Sequence, residues 1–254
     1  MYPYLEIFGQ RLYSFNMCLM FALLSIILLA SRDLKKMCLE AGLENKMFVI
    51  IPFFVLSGCV MAVFSDQLFR RSVENAIGAT FLGWLSGVIL VFTAYSALSK
   101  IRFLFLMNFY LPSFALAQAF GRIGCFLGGC CFGRPGFFGF AYPEGSPPHA
   151  VYGDCTLYPV QLIEAAFLCG VFFVCRRLVH FRRRGGVYLM LMTLGRFAFE
   201  LLRGDNRGDF AGITVFSPAQ IVSICLFIFG AVIVSRHEQS GTIMNNPVNK
   251  KQKN

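Results

Sequence analysis

Seven apolar stretches, each close to the roughly 20 residues a helix needs to cross hydrocarbon, restrict this chain more than any other feature. They fall at about 12–30, 47–65, 77–97, 102–120, 158–177, 187–203 and 214–234. Hydrophobic residues make up 57% of the chain and charged ones 14%, against about 25% charged in a soluble domain. With a mean hydropathy of +0.64, a fold of this length has too little interior to hide its apolar surface from water. The bilayer must supply the solvent. The expected fold class is therefore all-α: a polytopic integral membrane protein with about seven transmembrane helices. It forms one helical domain over 1–235 and a basic tail over 236–254. Prolines and glycines inside the apolar runs fit this reading, because neighbouring helices satisfy the backbone groups they free. The first run lacks a short basic leader and a small-x-small cleavage site, so it reads as a mature span rather than a signal peptide. No internal repeat is visible. The longest connection, about 134–157, holds Pro135, Pro143, Pro147 and Pro148 and reads as an irregular loop.

The net charge of +10 is informative through its placement. Alternate loops collect fifteen basic residues on one side (Arg32, Lys35, Lys36, Lys46, Lys100, Arg102, Arg176, Arg177, Arg182 to Arg184, Arg236, Lys250, Lys251 and Lys253). The other side has six, namely Arg11, Arg70, Arg71, Arg134, Arg203 and Arg207. Cytoplasmic loops carry the excess of Lys and Arg, so the expected orientation has the amino terminus outside and the carboxyl terminus in the cytoplasm. Nucleic-acid binding, which needs a soluble basic face, is excluded as the meaning of this charge. Two of the 23 basic residues, Arg122 and Arg196, remain within or beside apolar sequence.

An arginine at membrane depth costs about 2.5–3.5 kcal/mol on insertion scales, and such a residue normally faces a cavity and a partner. Arg196, Glu200 and Arg203 stand at helical spacing and are expected on one face. They form either a self-neutralising structural pair or an anion site. In the second case Glu200 orients one arginine while another grips a phosphate with its planar fork. The second element runs from Gly121 to Gly133 and places five glycines around Arg122 in thirteen residues. So many glycines make a poor continuous helix, and irregular backbone at membrane depth is tolerated where it lines a cavity. Close helix packing through small residues is the competing explanation.

These stretches resemble the signatures of the prolipoprotein diacylglyceryl transferase family. Gly121, Arg122, Gly124, Gly129 and Gly133 match its Gly-Arg-x-Gly-Asn-x-x-Asn-Gly-Glu-x-x-Gly. Tyr158 to Glu164 resembles its His-Pro-Ser/Thr-Gln-Leu-Tyr-Glu, with Gln161 and Glu164 retained. Arg196, Glu200 and Arg203 resemble its late Arg-x-x-x-Glu-x-x-Arg, Gly83 to Gly87 its His-Gly-Gly-Leu-x-Gly, and Tyr13 an early Tyr-Gly. The order is kept over most of the chain. The resemblance implies transfer of the diacylglyceryl group of phosphatidylglycerol to the lipobox cysteine of a preprolipoprotein signal peptide, releasing glycerol phosphate. The setting would be the lipids of a bacterial cytoplasmic membrane, in which the protein is multi-pass. Arg122, Arg196 and Glu200 would be catalytic. Arg203, Gly121, Gly124, Gly129, Gly133, Gln161, Glu164 and Tyr13 would bind substrate. No cofactor is called for and no metal is expected. A paralogue with another acceptor, or a noncatalytic lipid-binding or transport protein, are the alternatives.

The chain departs from the family pattern at definite positions. Cys125 and Cys130 replace an asparagine and a glutamate, Leu82 and Tyr158 replace histidines, Met192 replaces a tyrosine and Ser14 a glycine. Ten cysteines are present. The spacing of Cys125, Cys130 and Cys131 matches no common zinc pattern. Cys125 and Cys130 are expected to pack the glycine-rich turn, or to form a disulfide with one another or with Cys155. A catalytic thiol would need a lowered pKa, which Arg122 is placed to provide.

Overall fold

The computed structural model describes residues 4–7, 10–37, 41–69, 81–204 and 218–239. The chain opens with a two-stranded antiparallel hairpin, β1 (Tyr4–Ile7) and β2 (Gln10–Tyr13), and continues into α1 (Ser14–Met37). Next come α2 (Ala41–Phe69), α3 (Phe81–Ser99), α4 (Phe103–Gly128), β3 (Pro135–Phe140), α5 (Pro147–Tyr152), α6 (Val160–Phe173), α7 (Arg184–Glu200) and α8 (Pro218–Gln239). A single π turn, Val174–Leu178, extends α6, and a 3₁₀ turn, Phe181–Arg183, leads into α7. Each of the seven apolar stretches is mostly helical over its described part; Leu12 and Tyr13 belong to β2, Arg102, Tyr158 and Pro159 precede their helices, Leu201 to Arg203 follow α7, and 77–80 and 214–217 lie outside the described residues. Ser14–Met37, Gly42–Phe64 and Phe103–Gly128 are long and apolar enough to cross a membrane; Gly83–Ser99 and Gln220–Ser235 are apolar but shorter.

Packing inverts the pattern of a water-soluble protein. On α1 the buried residues are Ser14, Cys18, Ala22, Ile26, Ala30 and Leu34, a mostly small row at four-residue spacing. Leu19, Met20, Phe21, Leu24 and Leu28 point outward. Phe53, Leu56, Val60 and Phe64 do the same on α2. Small residues at the interface let backbones approach closely, the usual means of helix association where lipid tails are as apolar as leucine. The buried row of α1 lies against α4, the most enclosed helix, whose Leu106 to Ala115 are all buried. An aromatic cluster of Phe54, Phe92, Tyr110 and Phe114 ties α2 and α3 to α4. The Tyr110 hydroxyl donates to the Met47 carbonyl.

Three expectations need correction. The glycine-rich stretch is not irregular up to Gly128: α4 runs through Gly121 and Gly124 without a break. Gly121, Gly124 and Gly128 recur at helical spacing, and packing offsets their poor propensity, since a Cβ on Gly124 would meet Cys18 Cβ at 2.9 Å and Phe15 Cδ2 at 3.0 Å. The loop at 134–157 is partly ordered, because β3 bridges to Leu157 at Pro135 and Phe140, and Pro147 begins the short helix α5. Helical backbone also continues past 235, to Gln239. Lys250, Lys251, Lys253, Arg70, Arg71 and Arg207 lie outside the described residues.

Candidate functional site

Arg122 on α4, Glu164 on α6, and Arg196 and Glu200 on α7 converge between the three helices. Arg122 Nε pairs with Glu164 Oε2; Arg196 Nη1 donates to Glu164 Oε1 at 3.3 Å and Arg196 Nη2 meets Glu200 Oε2 at 2.5 Å. The four side chains are no more than 9% exposed. The result is one alternating chain, Arg122–Glu164–Arg196–Glu200, in which Glu164 bridges two cations. Such a row is well neutralised, and removing one member would leave an uncompensated buried charge. Phe167, Leu168, Met192 and Phe199 wall the adjoining cleft. Its free space for a water centre is about 10 Å³, room for a single water. Gln118, one helical turn before Arg122, also lines it, and its Oε1 is buried without a hydrogen-bond partner.

Arg203 does not continue the face of α7. The helix ends at Glu200, and successive amides of Leu201, Leu202 and Arg203 bond back three residues, tightening the chain into a turn. Beyond it the backbone runs antiparallel to 132–134. Arg134 N donates to Leu202 O, Gly204 N to Phe132 O, and Arg203 bridges to Gly133. Arg203 nevertheless is buried and lies within electrostatic reach of Arg122.

The remaining candidates divide by position. Gly121 has open space where a Cβ would stand, whereas Gly128 faces the Tyr13 hydroxyl, 3.1 Å from the corresponding point. Gly129 terminates α4 in the left-handed region at φ 73°. At Gly133 a Cβ would sit 2.8 Å from Val160 Cγ2, so its smallness serves chain packing. Gln161 is fully buried but turned away from the arginines: its Nε2 donates to Cys130 O at 2.9 Å, and Tyr142 OH donates to its Oε1 at 3.5 Å. The Gly83 to Gly87 segment packs helices together, with Ser57 donating to Gly87 O and Trp84 edge-on to Phe114. None of the described cysteines is in a disulfide. Cys125, Cys130 and Cys131 bring their sulfurs within 4.8 Å of one another, and exposed Cys155 is outside this group. Hydrogen bonding with Cys125 and Cys131 raises the Cys130 thiol above its ordinary pKa, so it is not a ready nucleophile by itself.

A helical bundle with membrane-length helices and a buried row of paired arginines and glutamates defines the class: a membrane protein that keeps ionised groups at depth. The chain belongs to the prolipoprotein diacylglyceryl transferase family, whose model matches residues 4–236. It is 28% identical over 240 residues to the phosphatidylglycerol–prolipoprotein diacylglyceryl transferase of Clostridium tetani (strain Massachusetts / E88), covering 90% of this chain and 94% of that protein. To the Clostridium perfringens (strain 13 / Type A) protein named phosphatidylglycerol–prolipoprotein diacylglyceryl transferase 2 it is 27% identical over 252 residues, covering 93% and 95%. The Stenotrophomonas maltophilia (strain R551-3) transferase is 31% identical over 179 residues, 62% of this chain and 61% of that protein.

Proposed function

We propose that this chain transfers the diacylglyceryl group of phosphatidylglycerol to the lipobox cysteine of a preprolipoprotein signal peptide in a bacterial cytoplasmic membrane. The observation that carries the reading is the buried Arg122–Glu164–Arg196–Glu200 chain in a member of this family. In our reading all seven long helices cross the bilayer, with the amino terminus outside. Arg122 lies six residues before the end of α4, Glu164 four after the start of α6, and Arg196 four before the end of α7. At 1.5 Å per residue the site sits about 6–9 Å inside the outer helix ends, a depth a lipid phosphate reaches by a small descent.

The reaction makes a carbon–sulfur bond and breaks a carbon–oxygen bond. The acceptor sulfur attacks the glyceryl carbon, the electron pair of the ester bond passes to the phosphate oxygen, and glycerol phosphate leaves. The charge gained by the leaving group is what fixed guanidinium groups stabilise. Arg122 and Arg196 hold the phosphate, Glu164 and Glu200 aim them, and the Gln118 acceptor receives a headgroup hydroxyl. The cleft has room for one water only, so lipid entry requires these side chains to part. Purified protein in detergent, given phosphatidylglycerol and a lipobox peptide, is expected to yield a peptide heavier by one diacylglyceryl group on its cysteine, read by mass spectrometry. Lipid binding without any adduct would reduce the protein to a lipid-binding one, and consumption of lipid without a peptide adduct would point to another acceptor.

A further inference from the structure

The proposed transfer needs a group that takes the acceptor thiol's proton, and Glu164 and Glu200 are engaged by arginines. The turn after α4 offers another route to the thiolate. Gly129 N donates to Phe126 O and Cys130 N to Cys125 O, the pair of bonds that closes a glycine-terminated helix. This closure folds Cys130 back over Cys125, with its sulfur 3.7 Å from the Cys125 carbonyl. Cys131 then adopts φ 58°, the left-handed region that non-glycine residues rarely occupy. All three sulfurs end within 4.8 Å of one another. Buried Gln161 pins the turn through the Cys130 carbonyl.

We propose that Cys125, Cys130 and Cys131 form a three-thiolate site for a thiophilic divalent cation, Zn²⁺, whose open fourth position takes the acceptor cysteine as its thiolate. The proposal rests on the transferase reading above. Sulfurs at 2.3 Å from zinc stand about 3.8–4.0 Å apart in tetrahedral or trigonal geometry, so the observed cluster needs only a small contraction. Soft thiolates select such ions. Three protein ligands with a vacant position are the arrangement of catalytic rather than closed structural zinc sites. Arg122 precedes Cys125 by one helical turn and interacts electrostatically with Cys125 and Cys131, so the anion site and the thiol site are neighbours.

The step balances. Binding of Zn²⁺ releases one proton from each of the three thiols. The acceptor thiol enters the fourth position and loses its proton to solvent, because a coordinated thiol is deprotonated outright. A sulfur lone pair forms the bond to the glyceryl carbon as the ester pair leaves with phosphate beside Arg122. The product thioether is neutral, a weaker ligand than a thiolate, and gives up the position.

The test uses reduced full-length protein in detergent, stripped with a chelator and titrated anaerobically with Cd²⁺ as a spectroscopic probe. One Cd²⁺ per chain is expected, with a sulfur-to-metal charge-transfer band that Cys130→Ser removes and Cys155→Ser or Cys169→Ser leaves intact. A lipobox peptide should raise the band by about a third, as three metal–sulfur bonds become four, and its Cys→Ser analogue should not. Stripping the metal should lower transfer about 100-fold or more, the usual scale of a proton-transfer catalyst, with phosphatidylglycerol binding kept and Zn²⁺ restoring the rate. Absence of the band in the reduced wild type overturns the proposal without requiring any variant to fold. So does a band unmoved by the peptide, or full transfer by metal-free protein, which leaves the transferase reading standing. No transfer with metal, peptide and lipid all bound would instead overturn the transferase reading.

Discussion

Glu164 is the residue on which the site turns, because among the described residues it alone pairs with both Arg122 and Arg196. Glu164→Gln leaves two guanidinium groups facing a neutral amide, and breaking a buried pair from one side costs about 3–5 kcal/mol. The expected result is a lower melting temperature in detergent together with lost transfer; a variant as stable as the parent would show the pairs contribute no net stability. Lysine at Arg122 or Arg196 keeps the charge and loses the fork. Each is expected to reduce kcat/KM by about 100-fold or more, the scale of removing one anion-stabilising donor, in protein that still inserts and elutes normally. Near-parental turnover in both would make the arginines structural. Charge in apolar sequence marked Arg122 and Arg196, helical spacing added Glu200, and Glu164 was marked only by the family resemblance. The sequence did not reveal the hub, because Glu164 and Arg196 are 32 residues apart in the chain and no local spacing links them. Arg196, Glu200 and Arg203 drew attention as one helical face, yet a tightened last turn takes Arg203 off the helix and into a pairing with Gly133.

At the scale of elements, α4 carries the lesson of the glycine run. Propensity argued against a helix there, but the glycines serve contact rather than freedom. Gly124 admits α1, and Gly128 admits Tyr13. Gly124→Val is expected to force α1 and α4 apart and cost about 1–3 kcal/mol as an overpacked site, measured as a fall in thermal stability. Gly121 contrasts with it, having nothing within 4 Å of a Cβ. Gly121→Ala should therefore leave stability unchanged or raise it by up to about 1 kcal/mol through helix propensity. If that open space receives substrate, kcat/KM falls while the melting temperature does not; parental kcat/KM would remove Gly121 from the binding site. The sequence suggested that Cys125 and Cys130 share the turn, but not that Cys131 joins them in a three-sulfur cluster. Two consecutive turns of backbone, the closure at Gly129 and the left-handed Cys131, bring them together, and sequence spacing does not announce such a reversal.

Over the whole molecule, chemistry and charge separate to opposite ends. The hairpin, the turn after α4, the start of α6 and the end of α7 meet around Arg203, Gly133 and Tyr13. At the other end of α1 and α6, Asp33 receives a bidentate pair from Arg176 at 2.5 and 2.6 Å, and Arg184 bonds back to the Arg176 carbonyl at 2.9 Å. Among the described residues, Arg32, Lys35, Lys36, Lys100, Arg102, Arg177, Arg182 and Arg183 of the larger basic set also lie at or beside the helix ends on that side. Under the orientation proposed above, in which the loops richer in Lys and Arg are cytoplasmic, the arginine–glutamate site would face the outer leaflet, where an exported signal peptide would present its cysteine. Fusions of a reporter active only outside the cytoplasm test this directly. A fusion after Lys253 is expected to be silent, and one placed in the exposed turn around Gly145 is expected to be active. The reverse pair of results would turn the molecule over and set the site on the cytoplasmic face, where the proposed acceptor could not reach it in the orientation argued here.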